Sequence, residues 1–158
     1  MSSLLVLLLV LGGVDSLSAT TVGAMKLKAP TKWALEQTED GTKTWTSADQ
    51  KGAISFYSGA LEKIRPAKAC VDAMVEAVGA EGFELSPIAA QPAAKKISSD
   101  FIGEKEEDKT EPNRVVTTTW VGCNGRIKWL LTFSARKSEG ARFGPILRRI
   151  LDSIAYGK

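Results

Sequence analysis

Arg114 to Ser134 reads RVVTTTWVGCNGRIKWLLTFS, two β-branched and aromatic runs flanking Asn124-Gly125. Asn-Gly between such runs is the strongest short signal for a β-hairpin, because both residues tolerate positive φ. A two-residue loop at Asn124-Gly125 pairs Cys123 with Arg126, Gly122 with Ile127 and Trp120 with Trp129. One face of the hairpin then carries Val116, Thr118, Trp120, Ile127, Trp129, Leu131 and Phe133. That face is too apolar to be left in water, and a facing Trp pair adds cross-strand stabilisation. Cys123 falls on the opposite, half-apolar face with Val115, Thr119, Val121 and Leu130. A three-residue loop with a bulge would exchange the two faces.

Outward from the hairpin, the period changes twice to that of a helix. Ala67, Cys70, Val71, Met74, Val75 and Val78 recur at i, i+3, i+4, i+7, i+8 and i+11, one face of a helix entered at Pro66 and ended at Gly79 or Gly82. Ala141 to Ala155 forms a second helix, with Phe143, Leu147, Ile150, Leu151 and Ile154 inward and Arg148 and Asp152 one turn apart outside. Earlier in the chain, Lys32–Glu36, Thr42–Thr46 and Ala53–Ser58 alternate around turns at Asp40-Gly41 and Gln50–Gly52, a three-stranded meander. Further strands are expected around Phe83–Ile88 and over Lys96–Gly103, separated by a break at Gln91–Ala94. The charge run Glu104–Glu111 (EKEEDKTE) reads as a solvated loop. The fold class is α+β, an antiparallel β-sheet layered between α-helices. The large apolar stripe of the last helix suits the Trp120/Trp129 face. The 66–79 helix, with small inward residues, suits the Cys123 face.

The chain has 158 residues, 44% hydrophobic and 25% charged, which argues for one domain with its own core. Its first residues read as an address. Leu4–Leu11 is an unbroken apolar run, followed by Gly12-Gly13 and small residues ending Ser16-Leu17-Ser18-Ala19. This is the pattern of a secretory signal peptide, although its start, Met-Ser-Ser, carries no Lys or Arg. The run is too short for a membrane span. Residues 1–19 are therefore expected to be removed, with cleavage within 18–24, leaving a domain over 25–158. No Cys follows the run, so no lipid anchor is expected. An exported chain with two cysteines usually pairs them. A Cys70–Cys123 bridge would tie helix to sheet and close a loop of about fifty residues, worth roughly 4 kcal/mol.

The order of elements, together with Leu27-Lys28-Ala29-Pro30-Thr31-Lys32-Trp33, Ala53-Ile54-Ser55-Phe56, Trp129-Leu130-Leu131-Thr132-Phe133 and Ile150-Leu151-Asp152-Ser153-Ile154, is similar to the Mog1/PsbP-like family. These motifs are short and structural, and they extend over nearly all of the chain after the address. The family includes an extrinsic photosystem II subunit, a nuclear transport factor that binds a small GTPase, and bacterial envelope proteins. The resemblance implies an α/β/α sandwich and a non-enzymatic binding or accessory role. It transfers no functional residue, because none of those members' partner-binding positions can be matched here.

The chain has no histidine, which removes Ser-His-Asp and Cys-His catalysis and most zinc sites. Ser-Lys, paired-carboxylate and Thr nucleophile schemes survive that exclusion, but no recognisable motif supports them, and no cofactor is expected. Glu104, Glu106, Glu107 and Asp108 lack the spacing of a calcium loop, and Lys105 and Lys109 oppose a cation. The net charge is +3, or +4 once Asp15 is removed with the address, too mild and interspersed for a nucleic-acid partner. Arg136, Lys137, Arg142, Arg148 and Arg149 form a basic cluster around the last helix that could meet an anionic partner, against the plainer reading of a charged helix exterior with Arg148 paired to Asp152. Trp33 and Trp45 are read as core rather than as a carbohydrate platform. The function expected is an exported accessory or protein-binding domain of the bacterial envelope, its partner another envelope or secreted protein. The alternative is a carrier of a small apolar ligand between sheet and helix, in a cavity lined by Phe83, Phe101 and Phe133.

Overall fold

A computed structural model describes residues 15–86, 100–106 and 115–158. The strands are β1 (Leu17–Val22), β2 (Met25–Pro30), β3 (Ala34–Gln37), β4 (Lys43–Thr46), β5 (Gly52–Ala60), β6 (Glu84–Ser86), β7 (Asp100–Glu106), β8 (Val115–Cys123), β9 (Ile127–Arg136) and β10 (Ala155–Tyr156). Helix α1 spans Ala67–Ala80 and α2 spans Gly140–Ser153. Seven strands make one antiparallel sheet in the order β3-β4-β5-β9-β8-β7-β6, and β1-β2-β10 make a smaller sheet. The expected meander is β3-β4-β5.

The β8–β9 hairpin forms as expected, but two residues out of the expected register. Cys123 lies opposite Lys128, Gly122 opposite Trp129 and Trp120 opposite Leu131. The reason is the turn. Asn124 stands before the two central residues, its N–H donating to the Ile127 carbonyl at 3.2 Å. Its Oδ1 accepts from the N–H groups of Arg126 and Ile127 at 2.9 and 2.8 Å. Gly125, at φ +88°, takes the first central position, where the hairpin turn with one positive-φ residue needs glycine. A shift of two leaves side-chain parity unchanged, so both faces carry the residues expected of them. The facing Trp pair, however, is replaced by Trp129 against Gly122.

Trp129, Phe56, Ile54, Leu131 and Phe133 form one side of the main core with Trp33, Trp45 and Trp120. The other side comes from Phe143, Ile146, Leu147, Ile150 and Leu151 of α2 and from Met25, Leu27 and Ala29 of β2. Both Trp33 and Trp45 are core residues. Across the sheet, α1 covers a smaller cluster of Cys70, Val71, Val78, Val121 and Cys123. The Cys70–Cys123 disulfide joins helix to sheet there, with its Cα atoms 6.1 Å apart. Pro66 sits at the N-cap of α1, and Gly82 at φ +88° follows its last turn.

Strand β1 lies ahead of the expected domain start, and two other expectations meet a different structure. Leu17–Val22 pairs along its length with β2, so the fold takes in residues ahead of 25. A cut after Ser18 or Ala19 would shorten β1, and one after Ala24 would remove it. The charge run is not a loop at its start, since Glu104–Glu106 continue β7 opposite Thr118–Val116; residues 107–111, like the break at 91–94, lie outside the described residues. Phe83 and Phe133 belong to clusters on opposite sides of the sheet, so they cannot line one cavity. The side chain of Phe101 lies outside the described residues.

Candidate binding groove

A groove of about 620 Å³ lies where one flank of α2 meets the β2–β3 corner and the β4–β5 turn. Arg142, Pro145, Ile146 and Arg149, spaced i, i+3, i+4 and i+7, form its helical wall. Trp33 and Phe143 form its aromatic floor, edge to face with ring centroids 5.5 Å apart.

The opposite wall is a tightly hydrogen-bonded turn. The Ser47 hydroxyl donates to Asp49 Oδ1 at 2.7 Å and accepts from the N–H groups of Lys51 and Gly52 at 3.2 and 3.1 Å. Gln50 takes a positive φ of 58° to complete the turn. With one carboxylate oxygen held this way, the other receives Arg142 Nη2 at 2.7 Å. Arg142 also lies 3.3 Å from Glu139, and its guanidinium stands 4.4 Å from the Phe143 ring centroid. Lys51 reaches Glu139 at 3.4 Å. Further along, Arg149 donates to the Asp15 carbonyl at 3.1 Å and also borders a second groove with Lys26, Lys28 and Asp152.

The Ser47 hydroxyl, and after it Arg142, pull the Asp49 carboxyl from 3.8 down to about 2, and Asp49 raises Arg142 in return. Each charge is stabilised in its ordinary state. A carboxylate depressed in the fold contributes stability above its unfolded value near 3.8, and that contribution fades as pH falls through about 2. The wall should therefore stay closed throughout the mildly acidic range. An NMR titration of Asp49 should give a midpoint near 2 in the native protein, and Ser47→Ala and Arg142→Gln should each raise it. A midpoint near 3.8 in the native protein would contradict the arrangement.

Of the five basic residues expected to face an anionic partner, Arg142 and Arg149 line this groove, and Lys32 joins them. Arg136, Lys137 and Arg148 do not line it. Arg136 ends β9, Lys137 opens the short 3₁₀ turn before α2, and Arg148 lies on another flank of α2. No Arg148–Asp152 ion pair forms among the described residues. Sequence reasoning missed Lys32, Asp49 and the groove floor; the Ser47-x-Asp49 turn signal before β5 was the available clue.

The domain is α+β with an aromatic-floored groove, and no group of three or more metal-ligating side chains occurs among the described residues. No family model matches the chain, and no curated protein matches it in sequence. Solved structures do match in shape. A Bacteroides thetaiotaomicron protein superposes with a TM-score of 0.60 at 13% identity over 91% of this chain, which spans about half of that protein (49%). The Ran-binding protein Mog1p of Saccharomyces cerevisiae gives 0.55 at 10% identity over 90% of this chain and 96% of its own. The PsbP protein (CyanoP) of Synechocystis gives 0.50 at 11% identity over 91% and 94%. The chain has the Mog1/PsbP-like fold.

Proposed function

We propose that this protein is an exported, non-enzymatic accessory domain of the bacterial envelope that docks a segment of a partner polypeptide in the groove between α2 and the Ser47–Asp49 turn. The observation that carries this reading is the groove itself. A hydrogen-bonded wall and an α2 flank stand over an aromatic floor, with charges of both signs at the rim. Apolar anchors ringed by polar groups are what a peptide segment needs for affinity and register. Export is supported by the apolar run Leu4–Leu11 and by a disulfide closed in the fold. Processing ahead of Leu17 would leave β1 whole.

A non-catalytic role is supported by the direction of the shifts in the groove, which strengthen the charged forms of Asp49 and Arg142 instead of bringing either toward neutrality. Mog1p, which shares the fold, is a Ran-binding protein; the partner here would be another envelope or secreted polypeptide. The test places a photo-crosslinking amino acid at Ala48, in the groove, or at Ala69, exposed on α1, in cells exporting the protein. An adduct of one defined mass from position 48 and none from 69 is expected. Equal labelling at both positions, or none at 48, would rule the groove out.

A further inference from the structure

A second gap, about 330 Å³, opens on the other side of the sheet, under the C-terminal half of α1. The disulfide pins α1 at Cys70, in its first turn, whereas Met74 and Val75 further along are only half-buried. The gap is walled by Met74, Val78, Phe83 and Leu130. Its floor includes Thr119 and Thr132, whose hydroxyls share one hydrogen bond at 3.3 Å. The size falls at the lower end for small-molecule sites, roughly 300–1,000 Å³.

One end of this gap is polar for a structural reason. Gly59 lies opposite Lys128, one strand over. A Cβ at Gly59 would come within 2.3 Å of the Tyr57 hydroxyl, so that hydroxyl rests on Gly59, beside the Lys128 strand. Lys128 and Tyr57 both line the gap, and Lys128 enters none of the ion pairs among the described residues. Cys123, opposite Lys128 on β8, carries the bridge to Cys70 in the first turn of α1. The acid of the lining, Glu81, follows the last turn of α1, eleven residues beyond Cys70 and therefore roughly 16 Å along the helix. Cation and anion stand at opposite ends of an apolar trough.

We propose that this gap binds a small amphiphile, an apolar chain ending in a carboxylate, with the carboxylate at Lys128 and Tyr57 and the chain between α1 and Leu130. The site is independent of the groove on the α2 side, and the failure of either assignment leaves the other standing.

The test is an NMR titration of the oxidised protein with decanoate and with decylammonium, both below their micelle concentrations, read at the methyl groups of Met74, Val78 and Leu130. Decanoate should bind saturably and at least about tenfold more tightly than decylammonium, as a charge-assisted contact implies. Lys128→Glu should reverse that preference while leaving the melting temperature within a few degrees. Ala77→Trp, which fills the gap from the helix side, should abolish binding of both. Equal affinity for the two probes, no saturable shift at these methyls, or a decanoate preference that survives Lys128→Glu would overturn the assignment.

Discussion

Replacing Cys70 and Cys123 together by alanine should lower the unfolding free energy by about 4 kcal/mol, with the loss seen first in α1. The bridge spans 53 residues of sequence, and closing a loop of that length removes a large share of the unfolded chain's freedom. Alanine is the proper replacement because the two cysteines are 2% and 0% exposed, and serine would bury hydroxyl groups. The local effect follows from packing. Helix α1 buries only Cys70, Val71 and Val78, all of modest size, whereas α2 buries Phe143, Ile146, Leu147, Ile150 and Leu151. Without the bridge, α1 has little to hold it down. Urea unfolding should show the global loss, and hydrogen exchange should show α1 amides opening well before those of α2 and β9. A loss under 1 kcal/mol, or α2 opening together with α1, would sink this account.

Trp129→Ala is expected to cost about 3–5 kcal/mol, the range for removing a large aromatic from a packed core. Its ring is 1% exposed and stacks on Phe56 with centroids 5.9 Å apart and planes 10° from parallel. It also lies over Gly122, the residue opposite it on β8. A Cβ there would come within 2.3 Å of the indole Nε1 and 2.4 Å of Cε2, so Gly122→Ala must displace the ring, at about 1–3 kcal/mol. The two effects should not add. Once Trp129 is gone, a methyl at Gly122 meets no ring, and the double variant should be no less stable than Trp129→Ala alone. Chemical denaturation of the three variants decides the matter. Simple additivity would mean that Gly122 serves some purpose other than seating the indole.

The elements with a strong period were legible. The α2 stripe and the alternation around Asn124-Gly125 lead to the right helix, the right hairpin and the right faces, and the count of two cysteines leads to the Cys70–Cys123 bridge. The register was not, because a turn can centre on Asn-Gly or on the following pair, and here the Asn124 side chain decides by capping two N–H groups. Met25-Lys26-Leu27-Lys28-Ala29 alternates as cleanly as any strand in the chain, and β2 buries Met25, Leu27 and Ala29. It was overlooked because the preceding residues were read as an address that ended in the middle of β1. Strand β10 is two residues long and has no pattern to read. The groove was half legible. Arg142 and Arg149 announce a charged flank, but Lys32, Trp33 and Asp49 come from segments that only the sheet brings beside α2. Non-local assembly of this kind leaves no spacing signature.

The small sheet sets the order in which the fold can be completed. Strand β2 pairs with β10 through Lys26 and Ala155, contacts from opposite ends of the chain. Until α2 and β10 have been synthesised, the face bearing Trp45, Trp120 and Trp129 has no lid. Its strands can already pair, leaving a broad aromatic surface bare to solvent and to other chains. Helix α2, with Phe143, Ile146, Leu147, Ile150 and Leu151, is therefore the element that keeps that face from solvent. A molecule stalled or truncated before this helix presents a sticky sheet, and the cell must shield or degrade it.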